Sequence, residues 1–169
     1  MIKSFKWLPL LLCLFPVLAW SASPNVVLKD RDGKDHNVNE FIGKGKWTVV
    51  TFWAHDCVIC NQEIHQMMFF HDAHKQKDAI VLGVSIDGYA NKGVALNFID
   101  KHGLNFPNLI GELNSPDKFG AGRFLGTPTF YIYSPEGALV TKKVGAMTQE
   151  EIENLINKKT NGKEVGAKT

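Results

Sequence analysis

The sequence predicts an α/β fold with a central mixed β-sheet flanked by helices. Three patterns carry that expectation. Residues 47–53 and 79–86 are continuous apolar or β-branched runs, the mark of strands buried on both faces. Residues 61–75 between them place Ile64, Met67 and Met68 at helical spacing, which makes a strand–helix–strand crossover. Residues 129–133 and 138–144 then read as two strands joined across Ser134-Pro135-Glu136-Gly137, and a last helix closes the chain.

In chain order, Val26, Val27 and Leu28 read as a first strand and Asp30-Arg31-Asp32-Gly33 as a turn. Asn39 is placed to cap a short helical turn that carries Phe41 and Ile42. Beyond the two central strands, Val94, Leu96, Phe98 and Ile99 mark a helix that stops near Gly103. Residues 106–110 suit a short strand, and Ser115 suits the cap of a helix running to Ala121. Proline second and glycine fourth fit residues 134–137 to a type I turn. Thr148 and Glu151 form a capping box for the final helix, whose Ile152, Leu155 and Ile156 face the core. Residues 159–169 are expected as a flexible tail.

The 169 residues suffice for one domain with a full core, and 44% hydrophobic content argues against disorder. The first 21 residues stand apart. Lys3 and Lys6 precede a nearly unbroken apolar run from Trp7 to Trp20, and Ala19 and Ser21 supply the small residues that a cut after Ser21 needs. This is the plan of a secretory signal peptide at residues 1–21, followed by a domain at residues 22–158. An uncleaved N-terminal membrane anchor and a lipoprotein are the alternatives. The run is short against the roughly 20 residues of a membrane span, and Cys13 lacks the small neighbours of a lipoprotein cut. A periplasmic or otherwise extracytoplasmic protein is expected. A cut after Ser21 removes two of the 19 basic residues and none of the 17 acidic ones, so the formal net charge falls from +2 to zero. No basic patch then points to nucleic acid.

The same cut removes Cys13 and leaves Cys57 and Cys60. A loop that small constrains the unfolded chain little, so a structural staple is a poor reason for the pair. Zinc would need four ligands. There is no second cysteine pair, and His65, His71 and His74 read as a solvated helix face. Redox chemistry remains. Cys57 follows a buried strand and opens a helix, where the dipole and free N–H groups stabilise a thiolate. Cys60, one turn on, is placed to resolve a mixed disulfide formed at Cys57. Glu63 lies three residues past Cys60 on the same helix face. A carboxyl desolvated beside sulfur becomes a usable base near neutral pH.

The run Phe52-Trp53-Ala54-His55-Asp56-Cys57-Val58-Ile59-Cys60, with Thr127-Pro128-Thr129 downstream, resembles the thioredoxin superfamily. More narrowly it is similar to the exported TlpA/ResA/CcmG group of thiol–disulfide reductases, over residues 24–158. The resemblance implies a thioredoxin fold with the TlpA-type βα insertion, which residues 91–110 accommodate. It implies a redox-active Cys57–Cys60 disulfide, with Glu63 assisting proton transfer. It implies a cis Thr127–Pro128 bond facing the cysteines, and a substrate-binding surface made by Trp53, Thr127 and Pro128. Ordinary thioredoxins bury an Asp in the central strand where this chain has Thr51, which cannot titrate. No cofactor or metal is implied, and a monomer is. The implied partners are disulfide-bearing proteins, such as apocytochrome c or oxidase-assembly proteins, and a DsbD/CcdA-like membrane electron donor.

Two departures bear on direction. Asp56 could cap the helix, but its charge opposes a Cys57 thiolate. Val58-Ile59 brings no cation between the cysteines, unlike the histidine of strong DsbA-type oxidants, which favours a reductant. Two rivals carry other chemistry. A peroxiredoxin-type peroxidase needs a Pro-x-x-x-Thr-x-x-Cys neighbourhood that is not present. A copper chaperone would use the two thiolates with His65 and Met67-Met68.

Overall fold

The computed structural model describes residues 23–166. The leader, with its alternatives of cleavage, anchoring and lipidation, lies outside the described residues. Among those described, no helix is long and apolar enough to cross a membrane. The elements run β1 (Val27–Lys29), β2 (Asp35–Asn37), β3 (Trp47–Trp53), α1 (Val58–His74), β4 (Ala79–Ser85), α2 (Lys92–His102), β5 (Asn108–Ile110), β6 (Thr129–Tyr133), β7 (Leu139–Val144) and α3 (Gln149–Gly166). The seven strands form one sheet in the order β2-β1-β5-β4-β3-β6-β7. The β3–β4 and β4–β5 pairs are parallel and the others antiparallel, so the sheet is mixed.

Strand alternation sorts β3 into two faces. Trp47, Val49 and Trp53 point toward a core shared with Ile64 and Met67 of α1, Phe98 of α2 and Ile152 of α3. Val50 and Phe52 point to the opposite core with Leu82, Phe119 and Tyr131. All three α-helices thus cover one face. Short 3-10 turns at Val38–Glu40 and Ser115–Phe119 supply Val38 and Phe119 to the other. The interval 91–110 holds α2 and β5, and β5 joins the sheet beside β4.

Several boundaries differ from expectation. Asn37, not Asn39, caps the first turn, because its side chain accepts from Asn39 N while Glu40 reaches back to Asn37 N. The short strand β2 escaped the sequence reading because Asp35, His36 and Asn37 have no strand-like alternation. Ser115 does not cap a longer helix; its Oγ accepts from Glu112 N, and a 3-10 turn ends at Phe119. The helix α3 continues to Gly166, so most of the expected tail from residue 159 is helical. Gly103 takes a left-handed conformation and ends α2 as expected.

Candidate active site

The two cysteines sit where β3 hands over to α1. The segment after Trp53 folds back through a bond from Cys57 N to Ala54 O, 3.2 Å. Cys57 then occupies the N-cap of α1, and its sulfur accepts from Cys60 N at 3.1 Å. Asp56 is therefore not the cap. No acidic residue lies in the first turn of α1, so the positive end of the helix dipole favours a Cys57 thiolate, against the exposed charge of Asp56 one residue before it. Cys57 and Cys60 are joined as a disulfide with their Cα atoms 5.2 Å apart. Cys57 is half-buried and Cys60 is 2% exposed. That asymmetry leaves Cys57 as the sulfur a partner can reach and shields Cys60. Val58 and Ile59 stand exposed beside them.

Behind Cys60 lies a small cavity of ≈ 10 Å³. Cys60, Glu63, Thr51 and Pro128 line it, with Trp53, Ile64, Met67 and Phe130. Glu63 is half-buried and thus spans from this cavity toward solvent. The Thr127–Pro128 bond is cis. Thr127 lines the neighbouring groove instead, an open space of ≈ 860 Å³. Apolar Ile86, Leu113, Phe124 and Leu125 border that groove together with Asp56, Glu112 and Asp117. The structure therefore brings Cys60, Glu63 and Pro128 to one small space and puts Thr127 on the open side.

The approach to Cys57 is fixed by two residues that sequence reasoning missed. Asp87, just past the end of β4, accepts from His55 N (3.2 Å to each oxygen), His55 Nδ1 (2.7 Å) and Ser85 Oγ (2.6 Å). This bond raises the pKa of His55 above the ordinary histidine value. Asn61 donates to His55 O and Cys57 O, and its Oδ1 receives Lys101 Nζ and meets His102 Nε2. The C-terminal edge of parallel strands is where such residues collect, and that was the available signal for Asp87.

Residues 21–142 match the AhpC/TSA family. The chain belongs to the AhpC/TSA family. Within it, the chain is similar to the thiol-disulfide oxidoreductase ResA of Bacillus subtilis, at 28% identity over 138 residues, 81% of this chain and 73% of that protein. Among solved structures it resembles StoA from the same organism, with a TM-score of 0.62 and 25% identity over 78% of this chain and 95% of that one. It also resembles a putative thiol:disulfide interchange protein DsbE from Chlorobium tepidum, with a TM-score of 0.68 and 23% identity over 79% and 92% of the two chains. The fold is the thioredoxin fold, and this AhpC/TSA-family protein is a thiol–disulfide oxidoreductase.

One expected site residue changes role in this family member. Trp53 is 0% exposed. Its indole stacks on Phe98 with centroids 4.4 Å apart and donates to Asn108 Oδ1 at 3.3 Å. Buried on all sides, it cannot contact a docking substrate, and it serves as the packed floor under Cys60. Gly83 is required here, since a Cβ on it would meet Asn108 Oδ1.

The histidine series is not one solvated face. His71 is buried, and its Nδ1 accepts from Val81 N, a part of β4 beyond the three residues that pair with β5. Burial pushes its pKa down. The copper reading is not favoured: Met67 is fully buried in the core with Met68 packed against it, while His65 is exposed on the outer side of α1.

Proposed function

We propose that this protein is an extracytoplasmic reductase of protein disulfides, reading its leader as the export signal. The observation that carries the reductase mechanism is the shared lining of one small cavity by Cys60, Glu63 and Pro128. In the reduced protein, the Cys57 thiolate attacks one sulfur of a client disulfide. A mixed disulfide forms, and the other client sulfur leaves as a thiolate that takes up a proton from water. The Cys60 thiol then loses its proton to Glu63, attacks Cys57 and expels the second client thiolate, which takes up a proton from water while Glu63 releases its own to solvent. The client gains two electrons and two protons, and the enzyme ends as the observed Cys57–Cys60 disulfide. The client strand lies along Thr127 and Pro128, on the side of the open groove.

A DsbD/CcdA-like membrane donor reduces the disulfide again, and the protein acts as a monomer. Clients of the apocytochrome c or oxidase-assembly type fit a groove that combines apolar walls with acidic side chains. The test of direction is the Cys57/Cys60 reduction potential in the purified domain. A value near the thioredoxin end, about −270 mV, supports reduction, whereas one near about −120 mV reverses the direction of electron flow.

A further inference from the structure

Thr51 lies in the middle of β3, and strand alternation points its side chain to the same face as Val49 and Trp53, toward α1. It is 0% exposed, and its Oγ1 is buried with no hydrogen-bond partner among the described residues. A buried hydroxyl left unpaired is costly, and native proteins rarely keep one without a use. Thr51 lines the cavity that Cys60 and Glu63 also line, and the cavity measures ≈ 10 Å³. That is about the volume one water centre needs, and a buried water needs two to four polar neighbours. Three of the residues that line the cavity, Thr51, Glu63 and Cys60, carry polar groups that could serve. Thr129 on the same sheet satisfies its own hydroxyl through Gly126 O, and Thr48 does so through Phe41 O, so of these three buried threonines only Thr51 is unpaired; Asn39 Oδ1 and the Tyr131 hydroxyl are the other unpaired buried side-chain atoms among the described residues.

We propose that Thr51 is a positioning residue: its hydroxyl holds one water between Cys60 and Glu63, and that water relays the Cys60 proton. The inference rests on Glu63 as the proton acceptor. When Cys60 attacks the mixed disulfide, its S–H proton passes to the water, the water gives one of its own protons to the Glu63 carboxylate, and Glu63 releases a proton to solvent. The electron pair left on Cys60 Sγ forms the new bond to Cys57 Sγ, and the client sulfur departs as a thiolate. Thr51 itself neither gains nor loses a proton. It orients the water through a hydrogen bond that valine cannot make and serine can.

The test separates the two thiol steps. The pre-reduced protein is mixed with the aromatic disulfide 5,5′-dithiobis(2-nitrobenzoate) in stopped flow between pH 5.5 and 9. The first thionitrobenzoate release reports attack by Cys57 and the second reports resolution by Cys60. Thr51→Val leaves the first phase unchanged, slows the second about tenfold near neutral pH, a modest share of what general acid–base catalysis supplies, and moves its pH profile to alkaline values. Thr51→Ser restores both rate and profile. Glu63→Gln slows the second phase at least as much, and the double variant is no slower than Glu63→Gln alone, since both act on one proton path. A Thr51→Val second phase that matches wild type across the pH range overturns the relay. So does slowing that is equal at every pH and not restored by serine, or slowing that multiplies with Glu63→Gln. If Glu63→Gln slows resolution and Thr51→Val does not, the Thr51 inference fails alone. If Glu63→Gln has no effect, the Glu63 reading fails and the relay falls with it.

Discussion

Replacing Asp87 by Asn removes the charge that anchors the segment in front of Cys57 while keeping the side chain's volume. The Asp87 side chain is 5% exposed, and the His55 ring it meets is 43% exposed. Solvent screens a pair that open, so the ion pair with His55 contributes only about 0–1 kcal/mol. The bonds from Ser85 Oγ and His55 N are to a charged acceptor, worth roughly 1.5–3 kcal/mol against about 1 for a neutral one. Weakening both gives a total loss of about 2 kcal/mol. The pH dependence follows from His55, whose folded pKa is raised by Asp87. A raised histidine adds stability that is fully present below the unfolded value, about 6.5, and that is lost as pH rises through the folded value. Urea unfolding of the oxidised protein at pH 5.5 and pH 9 checks this. The gap between wild type and Asp87→Asn is expected to be widest at pH 5.5 and to narrow toward pH 9 by no more than about 1 kcal/mol. A gap that is constant, or that widens with pH, refutes the His55–Asp87 account.

Two further predictions concern the core and the charge beside Cys57. His71→Leu leaves the Val81 N–H without its acceptor and is expected to cost about 1–3 kcal/mol in denaturant unfolding. Because the folded pKa of His71 is depressed, wild type also loses stability as pH falls below about 6.5, the unfolded value, and the variant lacks that component. Asp56→Asn removes an exposed negative charge one residue before Cys57. Alkylation of the reduced protein by iodoacetamide at pH 7 is expected to be faster in this variant, and the advantage to shrink in high salt.

The central strands, the α1 crossover, the hairpin β6–β7 and the α2 stop at Gly103 were legible because apolar runs and glycine stops are local signals. The cysteine pair was legible for the same reason: spacing, a preceding strand and a following helix all lie within a few residues. Other features depend on partners distant in sequence. The switch of Trp53 from substrate surface to packed floor depends on Phe98 and Asn108, on elements that the sequence order does not place beneath it. Asp87 and His55 are 32 positions apart, and Asn61 and Lys101 are 40 apart. Thr51 stood out in the sequence only as a residue that cannot titrate. Its importance appears once β3 and α1 close around a space that Cys60 and Glu63 share. Asn37 displaced Asn39 as the cap because both asparagines satisfy the local pattern and only the backbone geometry decides between them.

The division of labour between the two sulfurs is tested most directly by trapping. The reduced Cys60→Ser variant is mixed with insulin, and the product is digested and mapped by mass spectrometry. A covalent complex through Cys57, absent from the Cys57→Ser variant and reversed by added thiol, is the expected result. A complex formed through Cys60 in the Cys57→Ser variant, with none through Cys57, would contradict the assignment of Cys57 as the attacking sulfur.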